Sequence, residues 1–277
     1  MNKLLATDLD GTLFYPKEKK RMIEDDNLKV LRDFADDGNE VVIVSGRSLN
    51  YCFKVKKRVN RDVGLICFNG ALVYKNGRII YSQALNNEKL NDFINEIYEE
   101  YKLPGVFIMS ENGMFVKIRS KNPIMRLGYI FYYKNQKVYK EDFHWKIEDY
   151  NNEIKNGKIF KIMFFFGITK KSKMKAGEVN KIFRNTLEDY ECNWSDNVIE
   201  VTAKNCSKAN ALAHYISKEK LENCGVFVVG DSGNDISMFK KYHENSFCIN
   251  KAPHVIKKYA AHTIDKFSDL SRYIFEK

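Results

Sequence analysis

The strongest constraint on the fold comes from residues 41–44, four consecutive β-branched residues with no polar face. A strand that is apolar on both sides belongs in the middle of a parallel sheet whose two faces are covered by helices. Two further apolar runs, Lys3–Thr7 and residues 225–229, also stop at polar or glycine-rich turns, and segments with helical spacing connect the runs. This alternation predicts an α/β fold built on a doubly wound parallel sheet.

The middle of the chain has a different pattern. Its apolar spacing predicts, in chain order, a helix, a hairpin, a long strand, a second helix and a closing hairpin at residues 86–101, 106–118, 158–168, 173–187 and 190–202. Residues 119–157 show no clear pattern. A chain of 277 residues favours two domains. We therefore expect an inserted α+β domain at residues 84–203, with residues 1–83 and 204–277 forming the α/β core.

The composition indicates the cellular compartment but does not select one activity. The 46 Lys and Arg residues outnumber the 36 Asp and Glu residues, giving a net charge of +10, but they are scattered along the chain rather than gathered in one stripe. The six cysteines include no C-x-x-C pair, which favours a reducing compartment. The first apolar stretch is too short for a signal peptide, and no apolar run reaches the length of a membrane span. These features predict a soluble cytoplasmic protein.

Residues 8–13 (DLDGTL) stand directly after the first predicted strand. Asp8 and Asp10 can face the same small volume, where their charges repel unless a cation is bound or the pKa of one carboxyl group is raised. A magnesium ion would bind through oxygen ligands, and a carboxylate can also attack phosphorus while its neighbour handles a proton. Gly11 permits the sharp turn that brings backbone N–H groups towards an anion.

Two further polar segments end apolar strands. Ser45, Gly46 and Arg47 offer a hydroxyl group, an open backbone and a guanidinium to a phosphoryl oxygen. Residues 230–235 (GDSGND) place Asp231 where a remote carboxylate of a magnesium site would lie. Lys208, just before a helical stripe, could supply positive charge to a phosphoryl group. In an open α/β sheet the ligand lies beyond the carboxyl ends of the strands, so we expect these groups to share one crevice.

These four segments, in this order, resemble the motifs of the haloacid dehalogenase superfamily. More narrowly, the chain resembles the Cof-type (subclass IIB) phosphatases, which carry a large α/β cap between the second and third motifs. Residues 67–71 (CFNGA) and 198–201 (VIEV) add to the likeness. The resemblance implies a Rossmann-like core, an inserted α/β cap that determines substrate specificity, and a Mg²⁺ cofactor.

The resemblance also implies a role for each motif residue. Asp8 would be the nucleophile and a metal ligand. Asp10 would give its backbone carbonyl to the metal and act through its side chain as general acid and then general base. Ser45 and Lys208 would bind the transferring phosphoryl group, and Asp231 would complete the metal site.

The remaining implied roles are supporting ones. Gly46, Arg47 and Asn234 would join the phosphate- and substrate-binding groups, and Asp235 would support the metal waters and Lys208. The chain departs from the family pattern around Lys208, where residues 205–207 (NCS) replace a glycine-rich approach and Ala209 follows. Asn250 is a candidate residue at the edge of the site.

The sequence therefore predicts a Mg²⁺-dependent phosphatase that hydrolyses a small phosphorylated metabolite through an aspartyl-phosphate on Asp8. A sugar phosphate is the leading substrate class. A phosphoryl transferase or mutase with the same intermediate is an alternative. A basic RNA- or protein-binding module with a vestigial site is another, of a different class. We expect a small phosphorylated metabolite as the partner, with neither nucleic acid nor membrane, and the sequence leaves the oligomeric state open.

Overall fold

The computed structural model describes residues 3–16, 22–85, 88–120, 122–136 and 141–275. The chain divides into two compact units. We call Met1–Ser82 with Cys206–Lys277 the core unit and Gln83–Asn205 the inserted unit.

The core unit is built from both ends of the chain. Its first part contains β1 (Lys3–Thr7), α1 (Asp25–Asp36), β2 (Glu40–Val44), α2 (Leu49–Val59), β3 (Gly64–Cys67), β4 (Leu72–Lys75) and β5 (Arg78–Ser82).

The inserted unit follows in the chain. It contains α3 (Leu90–Glu100), β6 (Gly105–Ser110), β7 (Gly113–Ile118), α4 (Pro123–Gln136), β8 (Phe143–His144), α5 (Ile147–Asn156), β9 (Ile159–Phe165), α6 (Lys170–Thr186), β10 (Tyr190–Ser195) and β11 (Val198–Ala203).

The chain then returns to the core unit. The second part of that unit contains α7 (Lys208–Lys218), β12 (Gly225–Gly230), α8 (Ile236–Lys241), β13 (Ser246–Ile249), α9 (His254–Lys257), β14 (His262–Ile264) and α10 (Ser271–Ile274).

The described strands of the core unit form one eight-stranded sheet in the order β14-β13-β12-β1-β2-β3-β4-β5. The pairs from β14 to β3 are parallel, which confirms the predicted α/β fold, whereas β4 and β5 are antiparallel. The run at 41–44 is buried on both faces within β2. Helix α7 packs Leu212 and Tyr215 against apolar side chains of the sheet.

The register of the sheet brings three strand ends to the same edge. Thr7, the last residue of β1, pairs with Ile43 of β2 and with Val229 of β12. The loops that follow these strands therefore begin side by side at the carboxyl edge of the sheet. Asp8, Ser45 and Asp231 lie in those three loops.

The inserted unit has its own sheet, in the order β10-β11-β9-β6-β7-β8. All neighbours are antiparallel except β7 and β8, and every residue of the central strand β9 is buried. Strand β9 is shorter than the predicted 158–168, since Gly167 takes a left-handed φ of 115°. The helix predicted over 173–187 begins earlier, at Lys170, because the Thr169 side chain caps it by accepting from the Ser172 backbone.

The structure also defines elements in the region of the helix predicted at 86–101 and in the segment at 119–157, which showed no clear pattern. Helix α3 spans Leu90–Glu100, and Asn86 and Asn87 lie outside the described residues. Residues 119–157 contain α4, β8 and α5. Within the part of the chain that the structure describes, no helix combines the length and the apolar character needed to cross a membrane.

Candidate active site

The loop after β1 begins the site. The Asp8 backbone N–H donates to the Val229 carbonyl at 3.0 Å, which anchors the loop to β12. Gly11 adopts a φ of 87°, and a Cβ at this position would collide with the Asp231 carboxylate. Glycine is therefore required here both for the backbone conformation and for the close approach of the two loops. The Asp8 side chain is held inside, with the residue only 5% exposed.

Lys208 connects this loop to the loop after β12. Its Nζ donates to Asp8 Oδ1 at 2.6 Å and to Asp235 Oδ1 at 2.7 Å, and its side chain is fully buried. Burial alone would lower the pKa of this ammonium group, but Asp235 and Asp8 outweigh burial and raise it above its usual range. Lys208 therefore stays charged between the two carboxylates.

The departures around Lys208 have a structural explanation. Ser207 caps α7, because its side chain accepts from the Asn210 backbone N–H. The Ala209 backbone N–H donates to Ser237 Oγ at 3.4 Å. Lys208 is thereby fixed at the first turn of α7 without a glycine-rich approach.

Three carboxylates converge on the same small volume. Asp8, Asp231 and Asp235 each offer one oxygen, and these oxygens all lie within 4.8 Å of one another. Asp235 is already occupied by the protein: its Oδ1 accepts from Lys208, and its Oδ2 accepts from the backbone N–H groups of Asp231 and Ser232. We therefore regard Asp235 as the residue that holds Lys208 and the loop in place.

Asp8 and Asp231 keep open acceptor positions. Lys208 donates to Oδ1 of Asp8, and Thr12 Oγ1 donates to Oδ1 of Asp231 at 2.9 Å. Among the described residues, no donor reaches the second carboxylate oxygen of Asp8 or of Asp231. Two carboxylate oxygens are thus left without a hydrogen-bond donor from the described residues.

The electrostatics of the site favour a cation. Burial, together with the charges of Asp235 and Asp231, raises the pKa of Asp8 well above its usual range despite the opposing Lys208. Burial and the charge of Asp235 likewise raise the pKa of Asp231 to about 7, against the Thr12 hydrogen bond and Lys208. Three carboxylates share one ammonium group, so a divalent cation would remove the excess negative charge. The all-oxygen donor set fits Mg²⁺.

Asp10 and Arg47 form a bidentate ion pair. Arg47 Nε and Nη2 each donate to one Asp10 oxygen at 2.7 Å. The guanidinium lies over the Tyr51 ring, 4.8 Å from its centroid, and the Arg47 side chain is only 10% exposed. This pair fixes the direction of the Asp10 carboxyl group, a contact that the sequence analysis did not predict.

Ser45 and Gly46 lie beside this pair at the end of β2. Ser45 is buried, and its Oγ accepts from the Arg47 backbone N–H at 3.3 Å. The Ser45 backbone N–H donates to the Ile66 carbonyl at 2.8 Å, so β3 fixes the position of this loop. Ser45 therefore has a set place at the same sheet edge as Asp8.

Asn234 is oriented by two partners. Its Oδ1 accepts from Ser232 Oγ at 2.8 Å, and its Nδ2 donates to Asn69 Oδ1 at 3.0 Å. Sequence reasoning missed the site contacts of Thr12 and Asn69. Both residues stood in quoted motifs, DLDGTL and CFNGA, so the signal was their position directly after a buried strand.

Asn250 lies apart from these contacts. It is exposed just after β13, where its Nδ2 donates to Asp265 Oδ1 at 2.9 Å and its Oδ1 accepts from Lys257 at 3.1 Å. These contacts account for its side chain by local surface hydrogen bonding. The structure brings Asp8, Lys208, Asp231 and Asp235 together, and these two side-chain contacts of Asn250 reach none of the four residues.

Comparison with known proteins gives relatives over the full length. A Mycoplasma pneumoniae protein named only provisionally as a phosphatase is 28% identical over 297 residues, which cover 100% of this chain and 99% of that protein. The Bacillus subtilis 5-amino-6-(5-phospho-D-ribitylamino)uracil phosphatase YcsE is 26% identical over 240 residues, 86% of this chain and 80% of that protein.

Solved structures share the fold. A haloacid dehalogenase subclass IIB sugar phosphatase superposes with a TM-score of 0.75 at 21% identity, covering 99% of both chains. The family model described as haloacid dehalogenase-like hydrolase matches residues 5–271. This match spans almost the whole chain and agrees with the motifs at Asp8, Ser45, Lys208 and Asp231. The chain therefore belongs to the haloacid dehalogenase-like hydrolase family, in the Cof-type phosphatase group that its motifs predict.

Proposed function

We propose that this phosphoric monoester hydrolase is Mg²⁺-dependent and acts on a small phosphorylated metabolite through an aspartyl-phosphate on Asp8. A sugar phosphate is the leading substrate class. The observation that carries the proposal is the state of the Asp8 carboxylate. One oxygen is fixed by Lys208 at 2.6 Å, and among the described residues no hydrogen bond occupies the other. A buried carboxylate with one oxygen held and one oxygen open is oriented as a nucleophile.

The phosphoryl group would be bound by a positively charged group and by hydrogen-bond donors around Asp8. Lys208 supplies a permanent positive charge, and the Ser45 hydroxyl group and the Asn234 amide supply hydrogen-bond donors. Gly46 and Arg47 complete this set of phosphate- and substrate-binding residues. Since Arg47 also holds Asp10, phosphate binding and acid–base chemistry meet at this residue.

The proposed reaction has two balanced steps. In the first, an Asp8 oxygen bonds to phosphorus, the bond from phosphorus to the leaving oxygen breaks, and Asp10 gives that oxygen its proton. In the second, Asp10 takes a proton from water while the water oxygen bonds to phosphorus. The bond between phosphorus and Asp8 then breaks and releases phosphate. Arg47 orients the ionised Asp10 carboxylate, the form that takes the proton from water in the second step and so restores the acid for the next first step.

Asp8, Asp231 and the backbone carbonyl of Asp10 are the groups that would hold Mg²⁺. When bound, the ion neutralises the excess negative charge of the carboxylates and withdraws charge from a phosphoryl oxygen. Thr12 serves this set by orienting Asp231, and Asp235 serves it by holding Lys208.

We assign substrate choice to residues 84–203, as an α/β cap domain. The support for a sugar phosphate is the likeness of fold to the subclass IIB sugar phosphatase. The B. subtilis relative is named for a different phosphorylated compound, and a Methanobrevibacter smithii relative, 21% identical, is named a phosphoglycolate phosphatase. The substrate panel should therefore contain both of these classes. We also place the enzyme in the cytoplasm, on the basis of its cysteine pattern.

The test is phosphate release from sugar phosphates, nucleotides, phosphoglycolate, and flavin and pyridoxal phosphates, with Mg²⁺ or with a chelator. We expect release that requires Mg²⁺ and that Asp8→Asn abolishes. Asp33→Asn is the matched control, because Asp33 is an exposed α1 residue paired with Lys29 and should keep wild-type turnover. Full turnover by Asp8→Asn would refute the mechanism.

A further inference from the structure

The turn after β3 is buried and has an unusual backbone. Phe68 and Asn69 both adopt left-handed φ values, 52° and 60°, and Gly70 follows with a φ of 109°. Phe68 is 0% exposed and Asn69 is 1% exposed, and Gly70 is also buried. Two consecutive non-glycine residues in this conformation persist only where surrounding contacts impose it, and such turns concentrate at functional sites.

The backbone of this turn contacts two loops of the site. The Asn69 N–H donates to the Ser45 carbonyl at 3.1 Å, and the Phe68 N–H donates to the Arg47 carbonyl at 3.0 Å. Gly70 lies so close to the Ser207 carbonyl that a Cβ would collide with it. The turn is thus held between the loop after β2 and the first turn of α7, which carries Lys208.

The Asn69 side chain extends the contacts to a third loop. Its Oδ1 accepts from Asn234 Nδ2 at 3.0 Å, across 165 residues of sequence. The backbone conformation alone would explain glycine at position 69 as well as asparagine. Glycine, however, offers no acceptor to Asn234. The choice of asparagine is therefore accounted for by the amide contact and not by the turn.

We propose that Asn69 is a positioning residue that fixes the Asn234 amide, so that Asn234 meets the phosphoryl group from a set direction. The inference rests on the proposed function and deepens it. Ser232 Oγ fixes the Asn234 oxygen and Asn69 fixes its nitrogen, so the amide plane cannot rotate or flip without losing both bonds. Asn69 touches no reacting atom in this scheme and acts through Asn234.

The test uses Asn69→Gly, which allows the left-handed backbone and removes the side-chain amide whose oxygen accepts from Asn234. Asn76→Gly is the matched control, because Asn76 is an exposed residue with a φ of 49° in the turn between β4 and β5. The probe is orthovanadate, a phosphate analogue that accepts a fifth oxygen ligand, titrated with Mg²⁺ by calorimetry. Turnover on the best substrate of the panel and the melting temperature are measured alongside.

We expect Asn69→Gly to weaken vanadate binding about tenfold and to lower kcat/KM by a similar factor, with a melting temperature close to that of the wild type. Asn234→Ala should have at least as large an effect, because it also removes the proposed phosphoryl donor, and the double variant should be little worse than Asn234→Ala, because Asn69 acts only through Asn234. Asn76→Gly should match the wild type in every measurement.

Two results would overturn the inference, and they differ from failure of the proposed function. If the wild type binds vanadate and Asn69→Gly binds it within twofold as tightly, Asn69 does not position the site. If the Asn69→Gly and Asn234→Ala effects multiply in the double variant, the two residues act independently. If the wild type itself neither binds vanadate nor releases phosphate, the proposed function fails and the inference fails with it.

Discussion

Lys208 in the core unit and Lys161 in the inserted unit are both buried, and they differ in how their charge is balanced. In the inserted unit Lys161 lies in β9 and forms an ion pair with Glu200 of β11 at 3.2 Å. In the core unit Lys208 bonds to two carboxylates, with a third within 4.8 Å of them. A balanced pair serves the fold, whereas an excess of buried negative charge costs stability and marks a site for a cation.

The largest expected effect comes from removing each lysine in turn. Lys208→Met should lower kcat/KM about 10³-fold, because it removes the positive charge near the phosphoryl group and releases Asp8. Lys161→Met should leave kcat/KM within twofold but lower the free energy of unfolding by about 3 kcal/mol, because the change removes the buried ammonium group that donates to Glu200. Steady-state kinetics and urea unfolding measure both. A loss of activity in Lys161→Met would break the contrast.

A tenfold effect is expected at one of two arginine–carboxylate pairs. Arg47→Lys should lower kcat about tenfold, since lysine cannot donate two parallel bonds to Asp10 and leaves its carboxyl group less well oriented. Arg119→Lys is the control in the inserted unit, where Arg119 pairs with Glu99 at 2.8 Å. Its kcat should be unchanged. Equal kcat values for Arg47→Lys and the wild type would show that the Asp10 pair has no part in turnover.

Removing one excess charge should stabilise the protein without metal. In the presence of a chelator at pH 8, Asp231→Asn should raise the melting temperature by about 3 °C, because it removes a buried negative charge while still accepting from Thr12. Adding Mg²⁺ should then stabilise this variant less than the wild type. Asp196→Asn, at an exposed pair with Lys173 in the inserted unit, should change the melting temperature by less than about 1 °C.

The smallest expected effect is a pH dependence of the same origin. The folded-state pKa of Asp231 is about 7 and its ordinary value is 3.8, so the unfolded chain ionises first as pH rises. The contribution of Asp231 is therefore most favourable below pH 4 and is lost by about pH 7. Without metal, the wild type should melt about 2 °C lower at pH 8 than at pH 5, relative to Asp231→Asn. A wild type that gains stability over this range, relative to the variant, would contradict the sign.

The parts of the fold that sequence predicted are those in which local pattern and burial coincide. The run at 41–44 is apolar on both faces and lies inside the parallel sheet, and the three motifs at strand ends lie along one sheet edge. The stretch at 119–157 gave no prediction because its elements are weakly patterned. Strand β8 has only two residues, and α5 buries just Tyr150, Glu153 and Ile154.

The candidate site was predicted less completely, for a different physical reason. The sequence marks which residues carry chemistry but not which partners they meet across the chain. Asp10 and Arg47 were assigned to different tasks, yet they form one ion pair over 37 residues. In the sequence, Lys161 is a single charged residue within the apolar stretch 159–168, and nothing in its position shows how its charge is balanced in the folded chain. That balance depends on the number of carboxylates nearby, which only the folded chain determines.

The close approach of Gly11 to Asp231 has a consequence for mutational surveys. A Cβ at Gly11 would meet the Asp231 carboxylate, which Thr12 holds in place, and a Cβ at Gly70 would meet the Ser207 backbone carbonyl. In a saturation scan scored by growth or activity, both positions should tolerate as few substitutions as Asp8 does, although neither has a functional group. Positions at which substitutions abolish activity would therefore include these glycines, where the loops need space, as well as the catalytic residues. Kinetic measurements on purified variants would distinguish the two groups.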